Sequence, residues 1–260
     1  MDESKQFLYR YRHLDGSHRE WTKKIITESI LHFSSPADFN DPFDCKIQFL
    51  PVIQSGELKR QQSDRIKRCQ PWLNRKRRIA QAKQDARTIK ADPENFIEFA
   101  TNGLQEFTNK IGILSLSATD RNILLWSHYA HGHTGLCLKF LASVENPFFA
   151  SALSVTYATS YPIIKITDPI QKQVDAHLRT KAFDWHYEEE YRIIDHDKGK
   201  GDHVFPAELL VGVIFGARMT SEDKREIADW VLMRKSPTEL LEASVASESY
   251  SLEIRPYKGA

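Results

Sequence analysis

A strongly basic stretch with a helical pattern interrupts this chain. Between residues 59 and 90, twelve Lys and Arg stand against two acids, so the stretch carries a charge of +10 and the rest of the chain −9. Apolar residues recur within it at spacings of three and four, as at Ala82, Ala86 and Ile89, which is typical of one face of a helix. We therefore expect residues 54–110 to form a basic helical insertion.

The segments on both sides of this stretch have strand-like and helix-like patterns. Apolar and polar residues alternate in residues 6–15 and 111–120, as in half-buried strands, and residues 208–216 fit a buried strand. Helical segments lie among them, but not in the regular order of a doubly wound parallel sheet. We predict an α+β fold in one domain, residues 1–260, with mixed, mostly antiparallel sheets, flanking helices and the helical insertion.

Several common classes of protein are excluded by what the sequence lacks. It has no GxxxxGK[ST] phosphate loop, no GxGxxG between a strand and a helix, no GxSxG elbow and no HExxH. Its three cysteines form no CxxC pair, which argues against a disulfide framework or a zinc knuckle. The longest near-apolar run, residues 209–217, is too short to cross a bilayer, and the N-terminal segment lacks the pattern of a signal peptide. We expect a cytoplasmic protein with no membrane partner.

The segment WHYEEEYRII, residues 185–194, concentrates acidic residues in a strand-like context. In a strand, Glu188, Glu190 and Arg192 would share one face. Two neighbouring carboxylates are costly unless a cationic or hydroxyl-rich ligand binds there. The alternative is a solvated edge strand in which Glu190 and Arg192 neutralise each other.

Two further segments carry residues suited to ligands. In YRYR, residues 9–12, Arg10 and Arg12 share one strand face and suit phosphate or carboxylate groups, although salt bridges to the acidic residues of 185–194 are equally consistent. In WSHYAHGHTG, residues 126–135, three histidines lie within six positions, but no cysteine is near enough to complete a tetrahedral metal site. We predict no metal site, and histidines that are hydrogen-bonded or exposed.

The basic insertion also has two interpretations. Its density of Lys and Arg suits the phosphates of nucleic acid. The residues predicted to contact nucleic acid are those of the run NRKRR, namely Arg75, Lys76, Arg77 and Arg78. Aromatic residues are scarce in residues 59–90 apart from Trp72, so base stacking has little support. The alternative is a solvated helical face, or one that docks on the protein's own acidic body.

Three groups of residues, together with LYRYRHLD near the start, resemble a known family. The groups are FNDPFDC in residues 39–45, LWSHYAxxHxGLCLxF in residues 125–140 and WxYExEYR in residues 185–192. In combination they resemble the bacterial family catalogued as domain of unknown function 2971. The resemblance covers most of the chain outside residues 54–110, and the family name implies no settled function.

A more distant resemblance implies a chemistry. A basic and aromatic first strand, a helix, a strand that enters the FSSPADF loop and a late strand with a glutamate are similar in order to the motifs of ADP-ribosyltransferase-like folds. Those enzymes bind NAD without a glycine-rich loop. The resemblance implies that Arg10 or Arg12 holds the ribose and phosphates of NAD. It also implies that Ser34 and Ser35 lie beside nicotinamide.

The same resemblance implies a catalytic carboxylate, Glu190 or alternatively Glu188. A glutamate bonded to the ribose 2-hydroxyl would stabilise the positive charge that develops as the nicotinamide bond breaks. The residues predicted to be catalytic are Glu190, Glu188 and Arg192. The residues predicted to bind the cofactor are Tyr9, Arg10, Tyr11, Arg12, Ser34, Ser35, Asn40, Asp41, Trp126, His128, Tyr129 and His133.

These features lead to three functional hypotheses. The first is an intracellular NAD-dependent ADP-ribosyltransferase or NAD hydrolase, with NAD as its substrate. It would modify nucleic acid or protein in the setting of a toxin or of phage defence, with residues 59–90 presenting the target. The second is a metal-dependent phosphodiesterase or nuclease that uses Asp41, Asp44, Glu188 and Glu190 with a histidine. The third is a non-enzymatic nucleic-acid-binding module.

Overall fold

The computed structural model describes residues 5–50 and 54–259, so the two ends of the predicted domain, residues 1–4 and 260, lie outside the described residues. The chain divides into two compact units. The first comprises Met1–Phe39, Ile111–Tyr157 and Phe183–Ala260, and the second comprises Asn40–Lys110 and Ala158–Ala182. The predicted helical insertion, residues 54–110, lies in the second unit.

The strands and helices are numbered in chain order. The strands are β1 Lys5–Arg12, β2 Ile30–Phe33, β3 Gln48–Phe49, β4 Gly112–Ser117, β5 Leu136–Ser143, β6 Leu153–Ser154, β7 Thr156–Ala158, β8 Ile163–Ile164, β9 Thr180–Ala182, β10 Glu190–Asp195, β11 Gly201–Val204, β12 Leu210–Phe215, β13 Glu239–Val245 and β14 Leu252–Pro256. The α-helices are α1 Ser17–Glu28, α2 Ser55–Cys69, α3 Arg75–Ala91, α4 Pro93–Thr108, α5 Ile123–Tyr129, α6 Pro147–Ala150, α7 Ile170–Arg179 and α8 Ser221–Leu232. Short 3₁₀ helices cover Pro36–Asp38, Phe183–Glu188 and Ala207–Leu209.

The first unit is built on a curled sheet in which most neighbouring strands are antiparallel. Its strand order is β14-β13-β12-β5-β1-β4-β10-β6, and β12 and β13 form a parallel pair within it. β1 lies antiparallel to β5 along its whole length, from Lys5 opposite Ser143 to Arg12 opposite Leu136. A separate antiparallel ribbon joins β2 to β11. The predicted α+β class, with mixed, mostly antiparallel sheets and flanking helices, is confirmed.

The sheet of the first unit is buried on both faces. Because alternate side chains leave opposite faces of a strand, β5 supplies Leu138 and Phe140 to one core and Cys137 to the other. Burial on both faces explains why this segment is an apolar run rather than a strict alternation. α1 and α8 cover the face of Leu138, where Ile26 and Ile227 are fully buried.

Helices make up most of the second unit. α2 and α3 pack through Leu58, Ala86 and Ile89, and Phe96 of α4 packs against them. The small side chain of alanine lets two helices approach closely at this contact. Asp92 caps the N-terminus of α4 with its side chain, a position at which Asp is strongly preferred.

The expectation of no membrane partner can be compared with the length and apolar character of the helices. Among the helices of residues 5–50 and 54–259, none combines the length and the apolar character that a bilayer span requires.

Candidate active site

Two different strands meet the same edge of β4 and separate from each other along it. Tyr9 of β1 pairs with Ser117 at the end of β4. Ser34, just after β2, exchanges two backbone hydrogen bonds of 2.9 and 2.8 Å with Ile113 near the start of β4. β10 pairs with the same two residues of β4 from the opposite edge. β1 and β2 therefore form a fork against β4, and Ser115 lies between the two branches.

Arg10 occupies this fork. Its Nη1 donates a 2.7 Å hydrogen bond to the carbonyl oxygen of Ser115. Burial lowers the pKa of the Arg10 guanidinium, the charge of Arg12 lowers it further, and the carboxylate of Glu190 raises it. Tyr9, Ser117 and Glu190 lie opposite one another across β1, β4 and β10, so the side chains of Arg10 and Glu190 leave opposite faces of the sheet. The charge of Glu190 nevertheless acts on Arg10, whose guanidinium lies at the edge of β4.

Glu190 and Arg192 form a buried ion pair on β10. Arg192 donates from Nε to Glu190 Oε1 at 2.8 Å and from Nη2 to Glu190 Oε2 at 3.0 Å. The two side chains are 5% and 0% exposed, and the ring centroid of Phe39 lies 5.2 Å from Arg192 Cζ. Two parallel hydrogen bonds offset part of the cost of removing both charges from water. The two residues do neutralise each other, but β10 lies between β4 and β6, so the solvated edge strand of the alternative interpretation is wrong.

The prediction of a strand over residues 185–194 is wrong for the first half of that segment. Phe183–Glu188 form a 3₁₀ helix, and β10 begins only at Glu190. Between them, Glu189 is exposed and has a left-handed backbone with φ of 45°. The burial of both Glu188 and Glu190 therefore comes from this bend and not from strand alternation.

Glu188 is held at the end of the 3₁₀ helix. Its side chain is buried, and its Oε1 accepts a 2.8 Å hydrogen bond from the hydroxyl of Tyr129. Its carbonyl oxygen accepts a 2.7 Å hydrogen bond from Ser117 Oγ. Ser117 also lies opposite Glu190 in the sheet, so one residue of β4 positions both glutamates.

The two tyrosines of β1 differ in exposure. Tyr11 is buried, donates a 2.9 Å hydrogen bond to the carbonyl oxygen of Thr119, and packs edge-on against Trp126 with ring centroids 5.2 Å apart. Tyr9 is half-buried on the same strand face, and burial together with the charge of Asp120 raises its pKa to about 12. Tyr11 is a core residue, whereas Tyr9 packs half-buried against the same core.

Arg12 ends β1 with one unsatisfied donor. Its Nε donates to Thr22 Oγ1 at 3.3 Å, while its Nη2 is buried and has no hydrogen-bond partner among the described residues. Burial lowers the pKa of Arg12 to about 10. A buried guanidinium donor without an acceptor is costly, and an anionic ligand would remove that cost.

The candidates that follow β2 fall into two groups. Ser34 is half-buried and forms one side of the fork, whereas Ser35 is buried and its hydroxyl caps the short helix that follows it. Asn40 and Asp41 belong to the second unit. Asp41 Oδ1 accepts a 2.8 Å hydrogen bond from the N–H of Phe43, which is a local turn interaction.

The candidates on and after α5 have different environments. Trp126 is fully buried, and the ring of His133 stacks on it with centroids 6.2 Å apart. Burial lowers the pKa of His133. His128 is exposed. Tyr129 contacts a predicted catalytic carboxylate, that of Glu188.

The basic run at the start of α3 does not form one surface. Arg75, Lys76 and Arg77 are exposed, but Arg78 is half-buried, and its Nε is buried without a hydrogen-bond partner among the described residues. Successive residues of a helix point about 100° apart, so four consecutive side chains spread around the axis.

Acidic residues, histidines and cysteines are the possible metal ligands of this chain. In the part of the chain that the structure describes, no group of three or more His, Cys, Asp and Glu is arranged to hold a metal ion. Cys45 and Cys137 are buried and Cys69 is exposed, and all three are free thiols.

Sequence reasoning missed two residues that bond to the glutamates and one that covers Arg192. Ser117 is one, and the alternation of serine with leucine in GILSLS was a signal for it, because both serines of that segment share the face of Glu190. Tyr157 is the second, and its hydroxyl accepts a 2.8 Å hydrogen bond from the N–H of Glu190. Phe39, which covers Arg192, is the third. No local pattern marks Tyr157, and although Phe39 begins the FNDPFDC group, its contact with Arg192 depends on the tertiary fold.

The fold and site together define an α+β protein whose sheet is forked at β4, with Arg10 in the fork and a buried Glu190–Arg192 pair on the neighbouring strand. Comparisons with known proteins find nothing that matches this chain, whether among family models, curated proteins or solved structures.

Proposed function

We propose that the first unit binds NAD at the fork and cleaves its nicotinamide bond, as an ADP-ribosyltransferase or NAD hydrolase. The observation that carries the proposal is the position of Arg10 in the fork, within electrostatic reach of the buried Glu190. An ADP-ribosyltransferase-like fold and membership of the family of domain of unknown function 2971 belong to the same proposal.

The phosphates of NAD would bind the guanidinium groups of β1. Arg10 and Arg12 leave the same face of the strand about 7 Å apart, and guanidinium groups bind phosphate through paired N–H donors. Arg12 Nη2 is buried and lacks an acceptor among the described residues, so a phosphate oxygen would satisfy it. Nucleotide binding would therefore relieve an unfavourable feature of the free protein.

The carboxylate of Glu190 would stabilise the transition state. The bond between ribose C1′ and the nicotinamide nitrogen breaks, its electron pair leaves with nicotinamide, and C1′ takes on oxocarbenium character. Glu190 accepts a hydrogen bond from the 2′-hydroxyl, and this bond strengthens as the positive charge develops. An oxygen of water or of an acceptor group then bonds to C1′ and releases its proton.

The neighbours of Glu190 would orient it. Arg192 donates to both carboxylate oxygens and so fixes the orientation of the carboxylate. Glu188, held by Tyr129, is the alternative carboxylate.

Access to the site requires a movement. Glu188 and Glu190 are each 5% exposed, and the ring of Phe39 lies against Arg192. The proposal therefore includes displacement of Phe39 when NAD binds.

Thermal melting with added ligands tests the binding step. NAD or ADP-ribose at 100 times its dissociation constant would stabilise the folded protein by about 2.7 kcal/mol, which gives a clear rise in Tm. Mg²⁺, Mn²⁺ and Zn²⁺ are the comparison ligands, because the phosphodiesterase hypothesis requires a divalent metal. Stabilisation by metals without stabilisation by NAD or ADP-ribose would overturn the proposal.

A further inference from the structure

α3 carries a straight stripe of positive charge on its outer face. Successive residues of a helix are about 100° apart, so one arc of roughly 80° around the axis of α3 contains four basic residues and Ala80. The basic residues are Lys76, Lys83, Arg87 and Lys90. All of the four basic residues are exposed. The stripe extends over about 21 Å of helix. It differs from the run Arg75–Arg78, which spreads around the axis.

The opposite face of α3 explains why the stripe points outward. Ala82, Ala86 and Ile89 are buried, and the last two pack against α2. Asp85 is the one acidic residue in the sequence of α3, and it lies on the far side from the stripe. Its carboxylate pairs with Arg65 of α2 at 3.3 Å. Asp85 thus forms an ion pair with α2 and does not neutralise the stripe.

An exposed tryptophan precedes the stripe. Trp72 lies in the turn between α2 and α3, four residues before Lys76, and 76% of it is exposed. A large aromatic ring left in water beside a basic helix is suited to stacking on a base, and stacking of this kind suits unpaired bases. This observation is independent of the charge pattern.

We propose that Trp72 and the α3 stripe form a binding surface for single-stranded nucleic acid. The cations contact successive phosphates, and the indole stacks on one base. This surface belongs to the second unit, and its function does not depend on the cleavage of NAD by the first. Duplex nucleic acid, anionic lipid and acidic protein are competing partners that share the charge but offer no unpaired base.

Fluorescence anisotropy of the full chain with a labelled single-stranded oligonucleotide of about 20 nucleotides is the test. The stripe variant is Lys76→Gln/Lys83→Gln/Arg87→Gln. The matched control is Lys200→Gln/Lys235→Gln/Lys258→Gln, which removes three exposed charges from the first unit. We expect the stripe variant to lower the slope of log affinity against log salt by about 2, since each lost phosphate contact contributes about 0.7. We expect the control to bind like the wild type.

The aromatic contribution has its own variants. Trp72→Ala is expected to weaken binding about 5- to 150-fold, and Trp72→Phe to restore most of it, because a phenyl ring still stacks. Equal binding by the stripe variant and its control would overturn the proposal. So would an unchanged affinity of Trp72→Ala, or equal affinity of the wild type for duplex and single strand. Vesicles with anionic lipid that bind more tightly than the oligonucleotide would also overturn it.

Discussion

Glu190 and Arg192 lie two residues apart on β10 and join through two hydrogen bonds of 2.8 and 3.0 Å in the interior of the first unit. Each partner offsets part of the cost of burying the other. Replacing one partner therefore leaves the other charge buried without its ion-pair partner, whereas replacing both removes both charges.

Arg192→Met is accordingly expected to lower the free energy of unfolding by about 3–5 kcal/mol. Glu190→Gln combined with Arg192→Met is expected to cost less than the sum of the two single changes, because the double variant buries no charge. Urea denaturation of the four proteins measures the coupling. A double variant whose loss equals the sum of the single losses would show that the ion pair carries no coupling energy.

Gly135, directly before β5, lies against the backbone at the end of β1. A Cβ added at Gly135 would lie 2.1 Å from the carbonyl oxygen of Arg12. Gly135→Ala is expected to destabilise the first unit, because the backbone that carries Arg12 would have to move. Thermal melting followed by circular dichroism measures the change.

The control for that variant is Gly103→Ala. Gly103 is exposed within α4, and an added Cβ would meet nothing within 4 Å. Alanine at such a position is expected to stabilise the helix by about 1 kcal/mol. Opposite signs for the two variants are expected, and a neutral Gly135→Ala would be inconsistent with the close approach.

Burial of His177 makes the second unit sensitive to acid. Burial lowers the pKa of His177 to about 4, and the charge of Lys46 adds to the shift while Asp44 opposes it. A histidine in the unfolded chain has a pKa of about 6.5. The contribution of neutral, buried His177 to the free energy of unfolding is therefore fully present above pH ~6.5 and is lost as pH falls towards ~4. The loss amounts to about 3 kcal/mol over that range.

His177→Gln is therefore expected to flatten the dependence of unfolding free energy on pH between ~6.5 and ~4. His196, in an exposed turn, offers the matched control His196→Gln. Urea denaturation at a series of pH values provides the comparison. The same slope in the wild type and in His177→Gln would show that His177 does not contribute.

Arg10 connects the fork to ligand binding. Arg10→Lys keeps the charge but loses the paired N–H donors of the planar guanidinium, so we expect the affinity for NAD to fall about 10-fold. Arg225→Lys, an exposed position on α8, is the matched control. Calorimetric titration with NAD measures both. An unchanged affinity in Arg10→Lys would remove Arg10 from the binding site.

The sequence predicted those features of the fold that are set by local patterns. Alternation predicted β1, and the observed caps of α4 and α8, Asp92 and Thr220, are of residue types that favour the start of a helix. The bend at Glu189 was missed, because a positive φ is usually marked by glycine or asparagine and a glutamate gives no such signal. The break matters, since it separates Glu188 from β10.

The candidate site was predictable only in part for a related reason. The sequence pointed to Arg10, Glu188 and Glu190 as chemically suited residues. It did not reveal the fork, because the pairing of Ser34 with Ile113 joins residues that are far apart in the chain. Likewise, nothing local indicated that Arg192 would be fully buried.

Release of nicotinamide from NAD is the most direct measurement of the proposed activity. Glu189→Gln is the matched control for Glu190→Gln, because Glu189 is the adjacent residue and is exposed. Glu190→Asp, which keeps the charge, guards against loss of fold, and circular dichroism verifies the fold of each variant. We expect the wild type and Glu189→Gln to release nicotinamide at the same rate, and Glu190→Gln to be slower by at least about 100-fold. A folded Glu190→Gln that retains the full rate, or a wild type that releases no nicotinamide, would contradict the assignment.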